Sequence, residues 1–215
     1  MSGDDQATTN EAELERIFAA TVADYDRRAG EFWERTRNHD VAQNVDALLR
    51  WVKREAGACI LDFGCGPGRD LKVFSDAGHT AIGLDGCVSF VEMARAYSGC
   101  EVWRQDFLAL DLPDRRFDGV YANATLFHVP RRELPRILGQ IRSTLKTDGI
   151  LFASNPRGND EEGWSGERYG VWHSVEGWRS FLSDAGFVEL EAFLRPNDLP
   201  VEERRWLATV WRKVQ

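Results

Sequence analysis

The stretch Asp62-Phe63-Gly64-Cys65-Gly66-Pro67-Gly68 decides the fold of this chain. It follows a short apolar run, Cys59-Ile60-Leu61, and precedes a segment with helical spacing, so it predicts a turn from a strand into a helix. Glycine adopts positive φ and has no Cβ, so the backbone of this turn can lie against a nucleoside-bearing ligand. A dinucleotide turn, G-x-G-x-x-G, would place its last glycine where Arg69 stands. With Asp62 at its start, the turn therefore favours a ligand that carries an ammonium group over a pyrophosphate.

The composition is that of a globular protein with one core, since 43% of the 215 residues are hydrophobic and 29% are charged. The net charge of −8, with basic residues scattered among acids, argues against a nucleic-acid substrate. No segment is apolar enough for a membrane span or a secretory leader, so we expect a cytoplasmic protein that does not bind membranes. The four cysteines show no metal-ligand spacing, so we expect structural thiols and no metal site.

Strands and helices alternate along most of the chain, which predicts an α/β fold. The pattern indicates a Rossmann-like, doubly wound sheet of seven strands, mostly parallel with the last strand antiparallel, beneath an N-terminal helical cap. Predicted strands cover 58–63, 80–85, 101–104, 117–122, 150–154, 187–194 and 204–212. Predicted helices cover 11–26, 41–55, 68–77, 88–97, 131–146 and 175–185. We divide the chain into a cap (1–56), a cofactor-binding core (57–153), and a lid loop with C-terminal strands (154–215).

Acidic residues end the second and third predicted strands, where ligands bind in open α/β sheets. Asp85 can accept hydrogen bonds from both hydroxyls of a ribose, and Asp106 with Phe107 can hold a base. With the glycine turn, these residues resemble motifs I, II and III of the class I S-adenosylmethionine-dependent methyltransferases, over most of 57–153. The resemblance implies S-adenosylmethionine as cofactor. It assigns the following cofactor-binding residues: Asp62, Gly64, Gly66, Gly68, Asp85, Gly86, Asp106, Phe107 and Asn123.

Methyl transfer from a sulfonium is an in-line displacement, which requires an aligned acceptor and exclusion of water. The segment 117–130 resembles the fourth-strand region of small-molecule methyltransferases, in which the position of Asn123 lies near the sulfonium. His128 is a candidate general base, or else a residue that packs and orients its loop. The candidate catalytic residues are Asn123, His128 and Tyr169.

Three segments should overhang the strand ends and shape the acceptor site. They lie at 25–44, at 123–128, and in the long loop after the fifth strand, which we interpret as a lid. Arginines in that loop suit an acceptor with a carboxylate, because guanidinium groups bind carboxylates bidentately. The candidate substrate-binding residues are Tyr25, Trp33, Arg37, His39, Asn44, Phe127, Asn155, Arg157, Arg168, Tyr169 and His173.

Several longer strings resemble the methyltransferase part of ovothiol biosynthesis enzymes. They include Phe32-Trp33, His39-Asp40-Val41, Cys100-Glu101-Val102-Trp103 and Asn155-Pro156-Arg157-Gly158. The resemblance implies methylation of an imidazole ring nitrogen of 5-thiohistidine, and functional pairing with a separate sulfoxide synthase. Three alternatives remain open: a methyltransferase for another small carboxylate or amine, a nucleotide-binding oxidoreductase, and a non-catalytic S-adenosylmethionine-binding subunit.

Overall fold

The computed structural model describes residues 3–52, 54 and 56–214. Three helices come first and form the N-terminal helical cap: α1 (Gly3–Arg27), α2 (Ala29–Thr36) and α3 (Ala42–Val52). The predicted helix over 41–55 is confirmed as far as Val52, and its predicted end at Glu55 lies outside the described residues. Helix α2 was not predicted. It has eight residues, too few for a hydrophobic period to stand out from the aromatic and charged sequence around it.

The core begins with five parallel strands separated by helices. The strands are β1 (Cys59–Phe63), β2 (Thr80–Asp85), β3 (Glu101–Arg104), β4 (Phe117–Asn123) and β5 (Leu145–Pro156). The helices are α4 (Arg69–Asp76), α5 (Val88–Ser98) and α6 (Leu134–Thr144). The C-terminal part adds a hairpin of β6 (Glu161–Ser165) and β7 (Arg168–Trp172), then α7 (Val175–Asp184), β8 (Phe187–Arg195) and β9 (Trp206–Lys213).

The seven-stranded sheet has the order β3-β2-β1-β4-β5-β9-β8. Strand β9 runs antiparallel to both of its neighbours, and the other pairs are parallel. The predicted Rossmann-like fold is therefore confirmed. Apolar side chains alternate between its two faces: Ile60 packs in a cluster with Leu48 and Phe74, and Leu61 packs with Ile137 and Trp178 on the other side. Burial of both faces explains the continuous apolar runs of the strands.

The β6–β7 hairpin occupies the segment that we predicted to be an irregular lid loop. Its strands expose Glu161, Glu162 and Ser165, and they turn at Gly166, whose φ is +63°. An exposed two-stranded ribbon lacks the alternation of apolar and polar residues by which strands are recognised. Within the described part of the chain, no helix is long and apolar enough to cross a membrane.

Candidate active site

A cavity of about 790 Å³ lies beyond the carboxyl ends of the parallel strands. The ends of β1, β2, β4 and β5 form its floor, and side chains of α1 and α2 cover it. Arg168 of β7 and Arg195 of β8 complete the wall on the side of the C-terminal segments. Ligands bind at this position in open α/β sheets, so the predicted location of the site is the location of the cavity.

The three glycines of the turn after β1 all have positive φ, at +75° for Gly64, +53° for Gly66 and +91° for Gly68. A Cβ on Gly64 would lie 2.3 Å from Oγ1 of Thr125, and one on Gly68 would lie 2.7 Å from Cα of Ala94. A Cβ on Gly66 would meet no atom closer than 3.8 Å. Close packing therefore requires two of the glycines, whereas Gly66 leaves backbone open to the cavity. Gly68, which we predicted to bind cofactor, does not line the cavity.

Asp85 ends β2 at the cavity wall, where backbone N–H groups already hold its carboxylate. Oδ2 accepts from the N–H of Gly66 at 2.9 Å, and Oδ1 accepts from the N–H of Cys87 at 2.9 Å. Burial raises the pKa of Asp85 to about 6. Each carboxylate oxygen has a further lone pair, so the group can still accept from a ribose.

Asp62 presents an acceptor that has no partner in the protein. The residue is 3% exposed, and its Oδ2 has no hydrogen bond among the described residues. Burial, and then the neighbouring charge of Asp70, raises its pKa well above the usual range. A buried, unpartnered carboxylate oxygen at a cavity wall is stabilised by a cationic ligand. The Asp62 oxygen, the open backbone at Gly66 and the carboxylate of Asp85 together fit the ammonium group and the ribose of S-adenosylmethionine.

A flat apolar wall follows β3. The ring of Phe107 stacks on that of Phe63, with centroids 4.8 Å apart and planes at 8°, and Phe18 of α1 contacts its edge at 6.1 Å. Asp106 is exposed, and its Oδ1 accepts from the N–H of Leu108 at 2.8 Å. Asp106 and Phe107 both line the cavity, as does Gly86. This wall suits a planar base.

Asn123, at the end of β4, belongs to a chain of buried polar groups. Its Oδ1 accepts from Nδ2 of Asn44 at 3.0 Å, and its Nδ2 donates to Asp70 at 3.1 Å. Arg69 in turn donates to Asp70 at 2.6 Å and to the carbonyl of Thr36 at 2.8 Å. Asn44 is fully buried and does not line the cavity, so it orients Asn123 and does not form the predicted direct contact with substrate.

His128 is hydrogen-bonded at both ring nitrogens. Nδ1 lies 2.6 Å from the carbonyl oxygen of Tyr169, which can only accept, so Nδ1 carries the proton. Nε2 is then a bare acceptor, and the hydroxyl of Tyr25 donates to it at 2.9 Å. Burial lowers the pKa of His128 to about 4, so the imidazole is neutral at pH 7. His128 and Tyr25 both line the cavity.

The β6–β7 hairpin contributes through its backbone and one arginine. The N–H of Tyr169 donates to Oγ1 of Thr21 at 3.1 Å, which fixes the hairpin to α1. The ring of Tyr169 lies edge-on to Trp164 and does not line the cavity, so our prediction of a catalytic side chain is not supported. Arg168 lies over the ring of Tyr25, at 4.9 Å from its centroid, and pairs with the buried Asp24 at 3.2 Å.

Four other predicted substrate-binding residues do not line the cavity. Arg37 is exposed and pairs with Glu34 at 3.0 Å. Asn155 is buried, with neither amide atom hydrogen-bonded among the described residues, and the backbone N–H of Arg157 donates to the carbonyl of Arg205 at 2.7 Å. His173 is 2% exposed, and burial lowers its pKa to about 4.

The predicted residues Trp33, His39 and Phe127 line the cavity. Trp33 lies against Tyr97 of α5, with ring centroids 4.8 Å apart. Trp206 and Arg195 also line the cavity, and we did not predict them. Phe127 and Trp206 together form what we call the aromatic half of the cavity. The ring of Phe127 contacts that of Trp206 at 6.2 Å, with planes at 89°. Trp206 and Arg195 come from the ends of C-terminal strands, where no local motif marks a binding residue.

The chain belongs to a family of methyltransferases, since the family model described as a methyltransferase domain matches residues 32–191. With the site described above, this makes the chain an S-adenosylmethionine-dependent methyltransferase domain. The predicted class, cofactor and enzymatic nature are thereby confirmed, and the oxidoreductase alternative is wrong.

Individual relatives are similar in sequence to part of this chain. An uncharacterized methyltransferase of Anoxybacillus flavithermus is 28% identical over 116 residues, which cover 53% of this chain and 55% of that protein. A protein described as "Probable tRNA methyltransferase 9B" of Bos taurus is 38% identical over 81 residues, which cover 38% of this chain and 17% of that protein. The chain thus spans about half of the first relative and about a sixth of the second.

A solved structure extends the similarity to nearly the whole fold. It is that of 1,6-didemethyltoxoflavin-N1-methyltransferase of Burkholderia thailandensis, with bound 1,6-didemethyltoxoflavin and S-adenosylhomocysteine. The TM-score is 0.75 at 20% identity, and the match covers 92% of this chain and 88% of that one. At this identity the similarity establishes the fold alone.

Proposed function

We propose that this enzyme transfers a methyl group from S-adenosylmethionine to an imidazole ring nitrogen of 5-thiohistidine, giving ovothiol. The observation that carries the proposal is the pair of aromatic rings, Phe127 and Trp206, that lines the same cavity as Asp62, Gly66 and Asp85. Aromatic walls favour a small planar ring, which they contact by stacking or edge-on. Methylation of a nitrogen by the Burkholderia thailandensis enzyme supports the same chemistry on this fold.

A hydrogen bond to the hydroxyl of Tyr25 can determine which ring nitrogen of the acceptor is methylated. Its proton is directed at Nε2 of His128, and Arg168 hydrogen-bonds to the hydroxyl. The oxygen has a second lone pair, which can accept a hydrogen bond from the acceptor. An imidazole that donates its N–H to Tyr25 presents the other nitrogen as a bare lone pair. When bound, S-adenosylmethionine supplies the electrophilic methyl group. A nitrogen with a free lone pair needs no general base, which is consistent with a neutral His128 that orients Tyr25.

The proposal also places this enzyme after a reaction that forms the carbon–sulfur bond of the acceptor. A separate sulfoxide synthase, as the sequence resemblance implies, would supply that compound. The substrate of the tRNA methyltransferase relative is not carried over, because that match covers only 38% of this chain and the net charge of −8 opposes binding of a polyanion.

The test is a turnover assay with S-adenosylmethionine and a panel of 5-thiohistidine, histidine, simple carboxylic acids and amines, with products identified by mass spectrometry. We expect a product 14 mass units heavier than the acceptor with 5-thiohistidine in strong preference to histidine. A product with another panel member alone would support the alternative of a different small carboxylate or amine. Binding of S-adenosylhomocysteine without turnover of any panel member would point to a non-catalytic subunit.

A further inference from the structure

Among the described residues, three guanidinium groups line the cavity, and two of them pair with carboxylates of the protein. Arg69 donates to both oxygens of Asp70, at 2.6 and 3.0 Å. Arg168 lies 3.2 Å from Oδ2 of Asp24, which is 5% exposed. Each of these arginines therefore has a carboxylate partner before any substrate arrives, and Asp24 also pairs with Arg27 at 2.6 Å.

Arg195 differs from both. It is the last residue of β8, and its Nη2 donates to the backbone carbonyl of Asp40 at 2.7 Å. No carboxylate of the described residues lies within 4.0 Å of its guanidinium nitrogens. The side chain of Asp40 accepts from the N–H of Ala42 at 2.9 Å, at the start of α3. A guanidinium carries five N–H donors, so a single bond to a neutral carbonyl positions the group and leaves most donors available.

Arg195 lies on the acceptor side of the cavity. In the sheet, β8 is four strand positions from β1, which leads into the glycine turn. Arg195 pairs in register with Trp206, which contacts Phe127 in the aromatic half. A positive group without a carboxylate, beside an aromatic wall and remote from the cofactor turn, matches an acceptor that is a ring bearing an acid.

We infer that Arg195 binds the carboxylate of the methyl acceptor and selects acid-bearing rings over their decarboxylated counterparts. This inference rests on the proposed function and specifies its substrate class. It replaces the prediction that Arg157 and Arg168 hold the carboxylate, because Arg157 does not line the cavity and Arg168 is paired with Asp24.

The test compares binding of an acid with binding of its decarboxylated counterpart. Calorimetry on the full chain saturated with S-adenosylhomocysteine would use histidine against histamine, and 5-thiohistidine against its decarboxylated form. We expect the parent to bind at least one acid about tenfold or more tightly than its counterpart. Arg195→Met should lose about ten- to a hundredfold affinity for that acid and less than threefold for the counterpart. Arg195→Lys should retain part of the preference for the acid, because an ammonium group keeps the positive charge but lacks the paired N–H donors of a guanidinium group.

Arg204→Met is the matched control. Arg204 belongs to the same β8–β9 connection, donates only to the backbone carbonyls of Leu199 and Asn197, and does not line the cavity. The inference is overturned if the parent shows no preference for either acid, if neither acid binds, or if Arg195→Met weakens acid and counterpart equally. An equal effect of Arg204→Met would also overturn it. Failure to turn over 5-thiohistidine, with the histidine preference intact and dependent on Arg195, would contradict only the proposed acceptor.

Discussion

Replacement of Asp85 by asparagine tests the cofactor half of the site. The carboxylate uses one oxygen for the N–H of Gly66 and the other for that of Cys87, both at 2.9 Å. Asparagine has one acceptor oxygen, so its amide NH₂ must face one of these N–H groups. The variant also loses the anionic acceptor for the ribose. A hydrogen bond to a charged group contributes about 1.5–3 kcal/mol, so we expect S-adenosylhomocysteine to bind about ten- to more than a hundredfold more weakly.

The affinity should also depend on pH through the same carboxylate. With a pKa of about 6, Asp85 is ionised in about 90% of molecules at pH 7 and in about 10% at pH 5. The ionised form accepts from the ribose, so affinity rises with pH through this range. The expected change is about tenfold between pH 5 and pH 7. In Asp85→Asn this component of the pH dependence disappears.

Isothermal titration with S-adenosylhomocysteine from pH 5 to pH 8 measures both effects, and circular dichroism checks that each variant is folded. Asp111→Asn is the control, because Asp111 is exposed and does not line the cavity. A folded Asp85→Asn protein that binds as tightly as the parent would refute the reasoning. So would a parent affinity that stays constant from pH 5 to pH 7.

Tyr25→Phe removes the donor to Nε2 of His128, so we expect the unfolding free energy in urea to fall by about 1–3 kcal/mol. Turnover should fall about tenfold, whereas the affinity for S-adenosylhomocysteine should stay within threefold of the parent. Unchanged turnover would show that the hydroxyl does not contact the acceptor. His173→Phe removes two buried ring nitrogens that have no hydrogen bond among the described residues, and should raise the unfolding free energy at pH 7 by about 1–2 kcal/mol. The parent should lose stability as pH falls from about 6.5 to about 4, because unfolded His173 takes up a proton in this range, whereas folded His173, with its pKa lowered to about 4, stays neutral. If the unfolding free energy of His173→Phe fell as steeply with pH as that of the parent, His173 would not be the group responsible. Gly68→Ala should lower the unfolding free energy by more than about 2 kcal/mol, because φ is +91° and the added Cβ would lie 2.7 Å from neighbouring backbone. Gly66→Ala should lower it by about 1 kcal/mol and chiefly weaken S-adenosylhomocysteine binding. Equal losses of stability in urea denaturation would argue against the division of roles between these glycines.

Local sequence predicted the fold and the cofactor half of the site because their determinants are contiguous. Strands β2 and β3 were predicted with the bounds that they have in the structure. Of the nine predicted cofactor-binding residues, Gly68 alone does not line the cavity. Its spacing was interpreted correctly as part of the turn, but sequence could not show that its missing Cβ makes room for Ala94 and not for a ligand.

The acceptor half was predicted poorly because it is built from segments far apart in the chain. The hydroxyl of Tyr25 meets His128 across 103 positions, and Arg195 approaches the backbone of Asp40 across 155. Such pairings depend on sheet order and on the packing of α1 and the β6–β7 hairpin over the strand ends, which no short window of sequence contains. The sequence by itself determined a parallel sheet with a glycine turn for a methyl donor. Only the tertiary structure decided which arginine at the cavity has no carboxylate partner among the described residues, and that Tyr25 lines the cavity, because both depend on groups that meet only once the chain has folded.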